Sequence, residues 1–321
     1  MRTVLVTGGA GFIGSHLGAR LLATGVRVRV LDNLDPFYDV GLKRRNLGEL
    51  AASGADRVEV IEGDLRDAAV CRRAVAGVHS VVHLAALAGV RPSILDPVRY
   101  MDVNVTGTQM LLEQIQDRET VFVFGSSSSI YGGNTKVPFT ETDAVDRPVS
   151  PYAASKRAGE LLCATWHHLR GNPVACLRFF TVYGPRQRPE MAIHQFARHI
   201  TDGTELPFHG DGSSRRDYTY VDDIVAGVVA AMEKKKPWAI YNLGGSATTT
   251  LADLVRMLEE RLGRKARRKV LPDQPGDVPI TFADIGLAER ELGYRCTTPI
   301  AEGLTKFCAW YQREKAAGRV A

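Results

Sequence analysis

Tyr152 and Lys156 stand four residues apart in the segment Ser150-Pro151-Tyr152-Ala153-Ala154-Ser155-Lys156. Ser150 reads as an N-cap and Pro151 as the first helical position, so a helix starts here. Residues four apart then project from one helix face. A phenol with its ordinary pKa of about 10 is a poor base at neutral pH, but a neighbouring ammonium favours the phenolate. The pair can therefore act as a proton acceptor beside a cation. The same spacing is common in structural helices, so its meaning depends on the segments around it.

Gly8-Gly9-Ala10-Gly11-Phe12-Ile13-Gly14 follows a β-branched run at 3–7 and opens a helical pattern. This is the context that a dinucleotide fingerprint requires. Gly8 and Gly11 permit close backbone approach, and Gly14 lets the helix pack tightly on the strand. The free N–H groups at Phe12 and Ile13, with the positive end of the helix, suit a pyrophosphate. Asp32 ends the next strand, eighteen residues after Gly14, where a carboxylate accepts from both ribose hydroxyls and repels a 2′-phosphate. That favours NAD over NADP. Lys43, Arg44 and Arg45 lie close enough in sequence to keep NADP open, or form a solvated basic turn. Asp64 follows the third strand, where it meets the adenine amino group or caps a helix. Lys156 then has a ligand to hold, the nicotinamide ribose, and an oxidised nicotinamide adds to the pull on the phenol.

Gly125-Ser126-Ser127-Ser128-Ser129-Ile130-Tyr131-Gly132 follows the strand pattern at 121–124. It falls at the carboxyl edge of a parallel sheet, where doubly wound folds bind ligands. The alternative is a serine loop that satisfies its own backbone.

The elements needed to position these groups are legible. Strand patterns at 3–7, 26–31, 58–61, 80–84, 121–124 and 174–177 alternate with segments long enough for crossover helices. Their nearly continuous apolar character predicts an α/β fold, a Rossmann-type doubly wound parallel sheet covered on both faces. Beyond residue 178 prolines and glycines interrupt shorter elements, which predicts a smaller C-terminal substrate domain. The division expected is 1–178 and 179–321, with the strand pattern at 239–243 rejoining the first sheet. Helices are expected at 251–262 and 300–313.

With 321 residues, 45% hydrophobic and 24% charged, the chain is neither a disulfide miniprotein nor disordered. The net charge of +5 is mild. Five scattered cysteines without Cys-x-x-Cys fit a reducing, cytoplasmic setting. No long apolar segment marks a signal peptide or membrane span. His167 with His168, and His194 with His199, lack metal-ligand spacing on a helix, and no metal is expected. The basic cluster at 264–269 has no interleaved aromatics and reads as a solvated helix end rather than a nucleic-acid contact. Leu161, Leu162 and Trp166 fit a helix face buried either in the core or in a homodimer.

Together these segments resemble the extended short-chain dehydrogenase/reductase family, and within it the nucleotide-sugar epimerases. The resemblance runs through nearly the whole chain: 7–16, Asp32-Asn33-Leu34, His83-Leu84-Ala85-Ala86, Asn104-Val105-Thr106-Gly107, the serine run, Tyr152 with Lys156, and Arg216-Asp217-Tyr218-Thr219-Tyr220-Val221-Asp222-Asp223. Four stretches are most similar to UDP-glucuronate 4-epimerases: Phe37-Tyr38-Asp39 with Leu42-Lys43-Arg44, Ala88-Gly89-Val90-Arg91, 178–191, and Gly276-Asp277-Val278-Pro279. The resemblance implies NAD held additionally by Asn33, Lys43, Leu65, Leu84, Ala85, Ala86 and Asn104. It implies that Tyr152 removes the proton of the sugar 4-hydroxyl while hydride passes from C4 to NAD. Ser127 relays the proton, and the 4-keto sugar turns over before hydride returns.

The same resemblance separates reactions. Related dehydratases carry an acidic pair in the serine stretch and related decarboxylases a Glu, where this chain has Ser127, Ser128 and Ser129. Neither elimination nor decarboxylation is expected, and the hydroxyls with Thr181 suit a sugar carboxylate. Arg91, Arg188, Arg216 and Asp277 are the expected contacts of the UDP moiety. Many relatives have an Arg where Asp273-Gln274-Pro275 stands, which places more weight on Arg216. Thr281, small where some epimerases carry Tyr, leaves room for a bulkier hexose. The leading expectation is conversion of UDP-glucuronate to UDP-galacturonate by a homodimer. A UDP-glucose/UDP-galactose 4-epimerase and a non-catalytic NAD-binding scaffold are the alternatives.

Overall fold

The computed structural model describes residues 2–272 and 278–320. Seven parallel strands form the central sheet: β1 (Thr3–Thr7), β2 (Arg27–Asp32), β3 (Val58–Glu62), β4 (Ser80–His83), β5 (Val121–Ser127), β6 (Val174–Phe179) and β11 (Trp238–Leu243). Their order is β3-β2-β1-β4-β5-β6-β11, so the winding reverses between β1 and β4. Doubly wound sheets open a ligand crevice at that reversal, outside the carboxyl ends of the strands. The strand at 238–243 pairs with β6 throughout its length.

Burial on both faces explains the apolar strands. Val4 and Val6 face α1 (Phe12–Ala23) and α9 (Val221–Lys234), packing with Leu17, Leu21, Ile224 and Val228. Leu5 faces the other way, towards Cys71 of α3 (Ala68–Val75), Leu111 of α6 (Gly107–Gln114) and Cys163 of α7 (Pro151–Arg170). Between these lie α2 (Val40–Gly54), α4 (Val90–Leu95) and α5 (Pro97–Met101). A π-helical turn at Asp102–Thr106 joins α5 to α6.

The later part holds three small sheets. In these β7 (Thr181–Tyr183) pairs with β10 (Tyr218–Tyr220), β8 (Glu205–His209) with β13 (Arg267–Leu271), and β9 (Arg215–Arg216) with β12 (Thr249–Thr250). The remaining helices are α8 (Ala192–Asp202), α10 (Leu251–Leu262), α11 (Gly286–Leu292) and α12 (Ile300–Ala316). Ile200, Leu258 and Phe307 from this part belong to the same core cluster as Val4 and Val6. The packing is therefore continuous across the two parts.

Two local expectations are corrected. The basic cluster is not a helix end: α10 stops at Leu262 and residues 267–271 form β13, a strand paired with β8 on one side. Lys43, Arg44 and Arg45 are not a turn but lie in α2, with Lys43 buried. Among the described residues no helix is long and apolar enough to cross a membrane.

Candidate active site

A cavity of about 710 Å³ opens at the carboxyl ends of β1, β2, β4, β5 and β6. One wall is the glycine turn. Gly8 holds a φ of 70°, and a Cβ there would come within 2.8 Å of the Ala85 nitrogen. A Cβ on Gly14 would collide with the carbonyl oxygen of Gly8. Helix α1 begins at Gly11 with no side-chain cap and no acidic residue in its first turn. Its first N–H groups, at Phe12 and Ile13, and its positive end are thus left for an anion.

Asp32 lies beside this turn with its oxygens accepting from Ala10 N at 3.1 Å and Leu34 N at 2.9 Å. Burial raises its pKa, and the charge of Lys43 opposes that shift. Each oxygen retains a further lone pair for a ligand hydroxyl. The Lys43 ammonium donates to Asp35 O at 2.8 Å and sits 4.6 Å from the centre of the Tyr38 ring. Asn33, Asp64, Leu65, Leu84, Ala85 and Ala86 line the same cavity. Asp64 does not cap α3, a task done by Asp67. It is held instead by Arg66 at 2.8 and 2.9 Å and by Asn33 at 3.1 Å, and Arg66 keeps its carboxyl well below the usual range. Asn104 lies behind the wall. Its amide exchanges hydrogen bonds with both backbone groups of Leu87 and donates to Ser155 Oγ, so it shapes the loop that follows β4.

Helix α7 starts as its sequence dictates. Ser150 accepts from Ala153 N, Pro151 follows, and Gly171 in left-handed conformation ends the helix. Tyr152 and Lys156 both face the cavity. Burial raises the Tyr152 pKa, while a hydrogen bond with Ser127 and the charge of Arg188 lower it. Lys156 Nζ donates to Gly125 O at 2.7 Å, which uses one of the three donors of its ammonium. Ser127 shares the cavity wall with the phenol. Its hydroxyl accepts from Ser129 N and donates to Ser129 Oγ, each at 3.1 Å.

Burial lowers Lys156 from 10.5 to about 8. Between those values the unfolded chain holds a proton that the folded, ligand-free protein has released. This group therefore adds stability as the pH rises from about 8 towards 10.5 and withholds it below. The expected gain is at most about 3 kcal/mol. Denaturant titrations at about pH 7.5 and 9.5 check it: Lys156→Met should lose the slope, and an unchanged slope refutes the burial argument.

Ser128, Ser129, Thr181, Arg91 and Arg188 also line the cavity. Arg216 does not. It stands on β9 with Nη1 donating to Arg215 O at 2.9 Å and to Pro279 O at 3.5 Å. Asp277 lies outside the described residues. Thr281 is not in the lining either; its buried hydroxyl has no hydrogen-bond partner among the described residues.

Tyr38 and Glu190 are among the cavity residues to which the sequence assigned no role. Tyr38 is half-buried beside the glycine turn, its hydroxyl 3.9 Å from where a Gly11 Cβ would lie. Glu190 pairs with Arg188 at 2.8 Å, so the cavity does hold a carboxylate, from the loop before α8 and not from the serine run. The only sequence signal for either was membership of a stretch similar to known epimerases.

A family model described as NAD dependent epimerase/dehydratase family matches residues 4–244. UDP-glucuronate 4-epimerase 4 of Arabidopsis thaliana is 42% identical over 330 residues, 96% of this chain and 75% of that one. The UDP-glucuronic acid 4-epimerase of Bacillus cereus, solved with UDP-glucuronic acid and NAD, has a TM-score of 0.91 at 35% identity, covering 97% of this chain and 99% of that one. A dTDP-glucose 4,6-dehydratase of Streptomyces venezuelae reaches the same TM-score, 0.91, at 34% identity, covering 98% of each chain. The backbone alone thus does not separate epimerisation from elimination; the side chains of the cavity must. With most of the chain matched and the glycine turn, serine run, tyrosine and lysine gathered in one cavity, the chain belongs to the NAD dependent epimerase/dehydratase family.

Proposed function

We propose that this protein inverts C4 of UDP-glucuronate to give UDP-galacturonate through a transient 4-keto sugar, with NAD as its resident cofactor. The observation that carries the reading is a phenol and serine pair, Tyr152 and Ser127, sharing one cavity with Thr181, Arg188 and the hydroxyls of Ser128 and Ser129. The residues fit NAD. Gly8, Gly11 and Gly14 form a cradle that side chains would fill, α1 offers uncapped N–H groups at Phe12 and Ile13, and Asp32 suits free ribose hydroxyls. Asn33, Lys43, Asp64, Leu65, Leu84, Ala85 and Ala86 would enclose the adenosine end, with Tyr152 and Lys156 at the other ribose. When bound, NAD takes up and returns hydride at the sugar C4.

The remaining work falls to the chain. Tyr152, as phenolate, takes the proton of the 4-hydroxyl through Ser127 and holds it on its own oxygen. It returns that proton to the oxygen at C4 once the keto sugar has presented its other face. Arg188 and Arg91 in the cavity, together with Arg216 and Asp277, would keep the diphosphate tethered meanwhile, since forked guanidinium donors suit phosphate oxygens. Ser128, Ser129 and Thr181 donate uncharged hydrogen bonds to the sugar carboxylate. In this reading residues 1–178, completed by β11, hold NAD and the chemistry, and residues 179–321 grip the nucleotide sugar.

One observation favours a neutral sugar instead: Glu190, paired with Arg188, puts a carboxylate in the cavity wall, and a like charge there disfavours a carboxylate on the sugar. Incubation with UDP-glucuronate, UDP-glucose or UDP-N-acetylglucosamine, followed by the sugar proton resonances, decides. Inversion of UDP-glucuronate is expected. Inversion of neutral sugars alone transfers the reading to UDP-glucose and UDP-galactose, and no turnover at all leaves an NAD-binding scaffold.

The same proposal includes a homodimer in the cytoplasm. Leu95 is 86% and Val98 77% exposed on α4 and α5, with Ile94 and Leu161 half exposed nearby in the chain's helical face, a surface that water disfavours. The five cysteines are all unpaired thiols, four of them buried, which suits a reducing compartment. Leu95→Arg with Val98→Glu should shift the protein from dimer to monomer in light scattering; a monomeric wild type removes the dimer from the proposal.

A further inference from the structure

Ser126 differs from the other serines of its run in where its hydroxyl goes. Alternation along β5 places it on the side of Phe122 and Phe124, which pack with Cys163 of α7. There its Oγ donates to Glu160 Oε1 at 2.7 Å. The same carboxylate accepts from Arg178 Nε at 2.9 Å and Nη2 at 3.0 Å. Arg178 is also Ser126's direct neighbour in β6. Glu160 and Arg178 are each 1% exposed, and Arg157 reaches Glu160 Oε2 from the rim at 3.0 Å.

The network continues to the far end of the serine loop. Arg178 Nη1 donates to Tyr131 Oη at 3.0 Å, and that hydroxyl donates to Asn242 Oδ1 of β11 at 2.6 Å. Glu160 follows Lys156 by one helical turn on the same face of α7. Lys156 holds Gly125 O and Glu160 holds Ser126 Oγ. Two successive turns of the helix that carries Tyr152 therefore grip the two strand residues immediately before Ser127. A buried ion pair is a poor source of stability, because desolvation offsets most of its Coulomb energy. What this pair does supply is register between helix and strand.

We propose that Ser126, Glu160 and Arg178 form a positioning unit that fixes Ser127 in the cavity wall it shares with Tyr152. The inference rests on Tyr152 being the base of the proposed reaction. Ser126→Ala tests it most cleanly, because it removes one hydroxyl and leaves the ion pair whole. With Ser127 no longer held in place, the phenolate loses its hydrogen bond, and small misplacements of reacting groups are costly. The expected result is a fall in kcat of about tenfold or more with KM for UDP-glucuronate within about twofold of wild type. The acidic limb of the kcat/KM profile should move to higher pH, and Ser126→Thr, which keeps the hydroxyl, should restore both.

A second readout needs no turnover. The phenolate absorbance of Tyr152, taken as the difference between a protein and its Tyr152→Phe counterpart, should titrate at higher pH in the Ser126→Ala background. Wild-type kcat and an unmoved titration in Ser126→Ala overturn the positioning role, as does failure of Ser126→Thr to restore either. A wild type that turns over no UDP-sugar but shows the shifted titration instead overturns the reaction and leaves the positioning intact.

Discussion

Tyr152→Phe should lower kcat roughly a thousandfold while NAD content, UDP affinity and melting temperature stay close to those of the wild type. The size follows from general acid–base catalysis, which contributes about 10² to 10⁴ in rate. The selectivity follows from the structure. The Tyr152 ring lines the cavity and meets Tyr100 edge to face at 6.3 Å, contacts that phenylalanine preserves. The lost hydroxyl is the one bonded to Ser127. Lys156 keeps its bond to Gly125 O in the variant, so the cofactor wall should stand. Single-turnover measurement of C4 inversion, beside absorbance of bound NAD, checks both halves. Retention of full kcat would remove Tyr152 as the base and with it the proposed chemistry.

Gly14→Ala should abolish NAD retention through purification and lower stability by about 1–3 kcal/mol, the usual range for forced overpacking. The added Cβ meets the carbonyl oxygen of Gly8 and lies 2.8 Å from the Gly9 Cα. These are backbone atoms that cannot rotate aside, so α1 must move away from the turn that presents its N–H groups. Gly48→Ala is the matching control. It lies within α2 with nothing within 4 Å of its Cβ position, and alanine there should be neutral or stabilising by about 0.5–1 kcal/mol. A Gly14→Ala protein that purifies with a full complement of NAD and melts like the wild type would sink the argument for the cradle.

Chain-local physics made most of the fold and much of the site legible. Strand spacing, continuous apolar runs and the capped start of α7 at Ser150 and Pro151 are properties of neighbouring residues, so the sheet and the facing of Tyr152 with Lys156 could be read directly. The glycine turn and Asp32 likewise sit a fixed distance apart along one βαβ unit. Where the reading failed, the cause was a partner distant in sequence. Residues 267–271 became a strand because β8, some sixty positions earlier, offered an open edge. The bond from the Lys156 ammonium to Gly125 O, thirty-one residues back, was likewise not legible from neighbouring residues.

Of the four serines only Ser127 was singled out, by the family resemblance. Tertiary structure gave Ser126 its separate task, sending it to Glu160, because alternation along a strand assigns adjacent side chains to opposite faces and only the packed helix decides what each face meets. The sequence by itself determined the elements and the chemistry available at their ends. Tertiary structure decided which hydroxyl, carboxylate and guanidinium met, since burial leaves each polar group needing a partner that only long-range contacts supply.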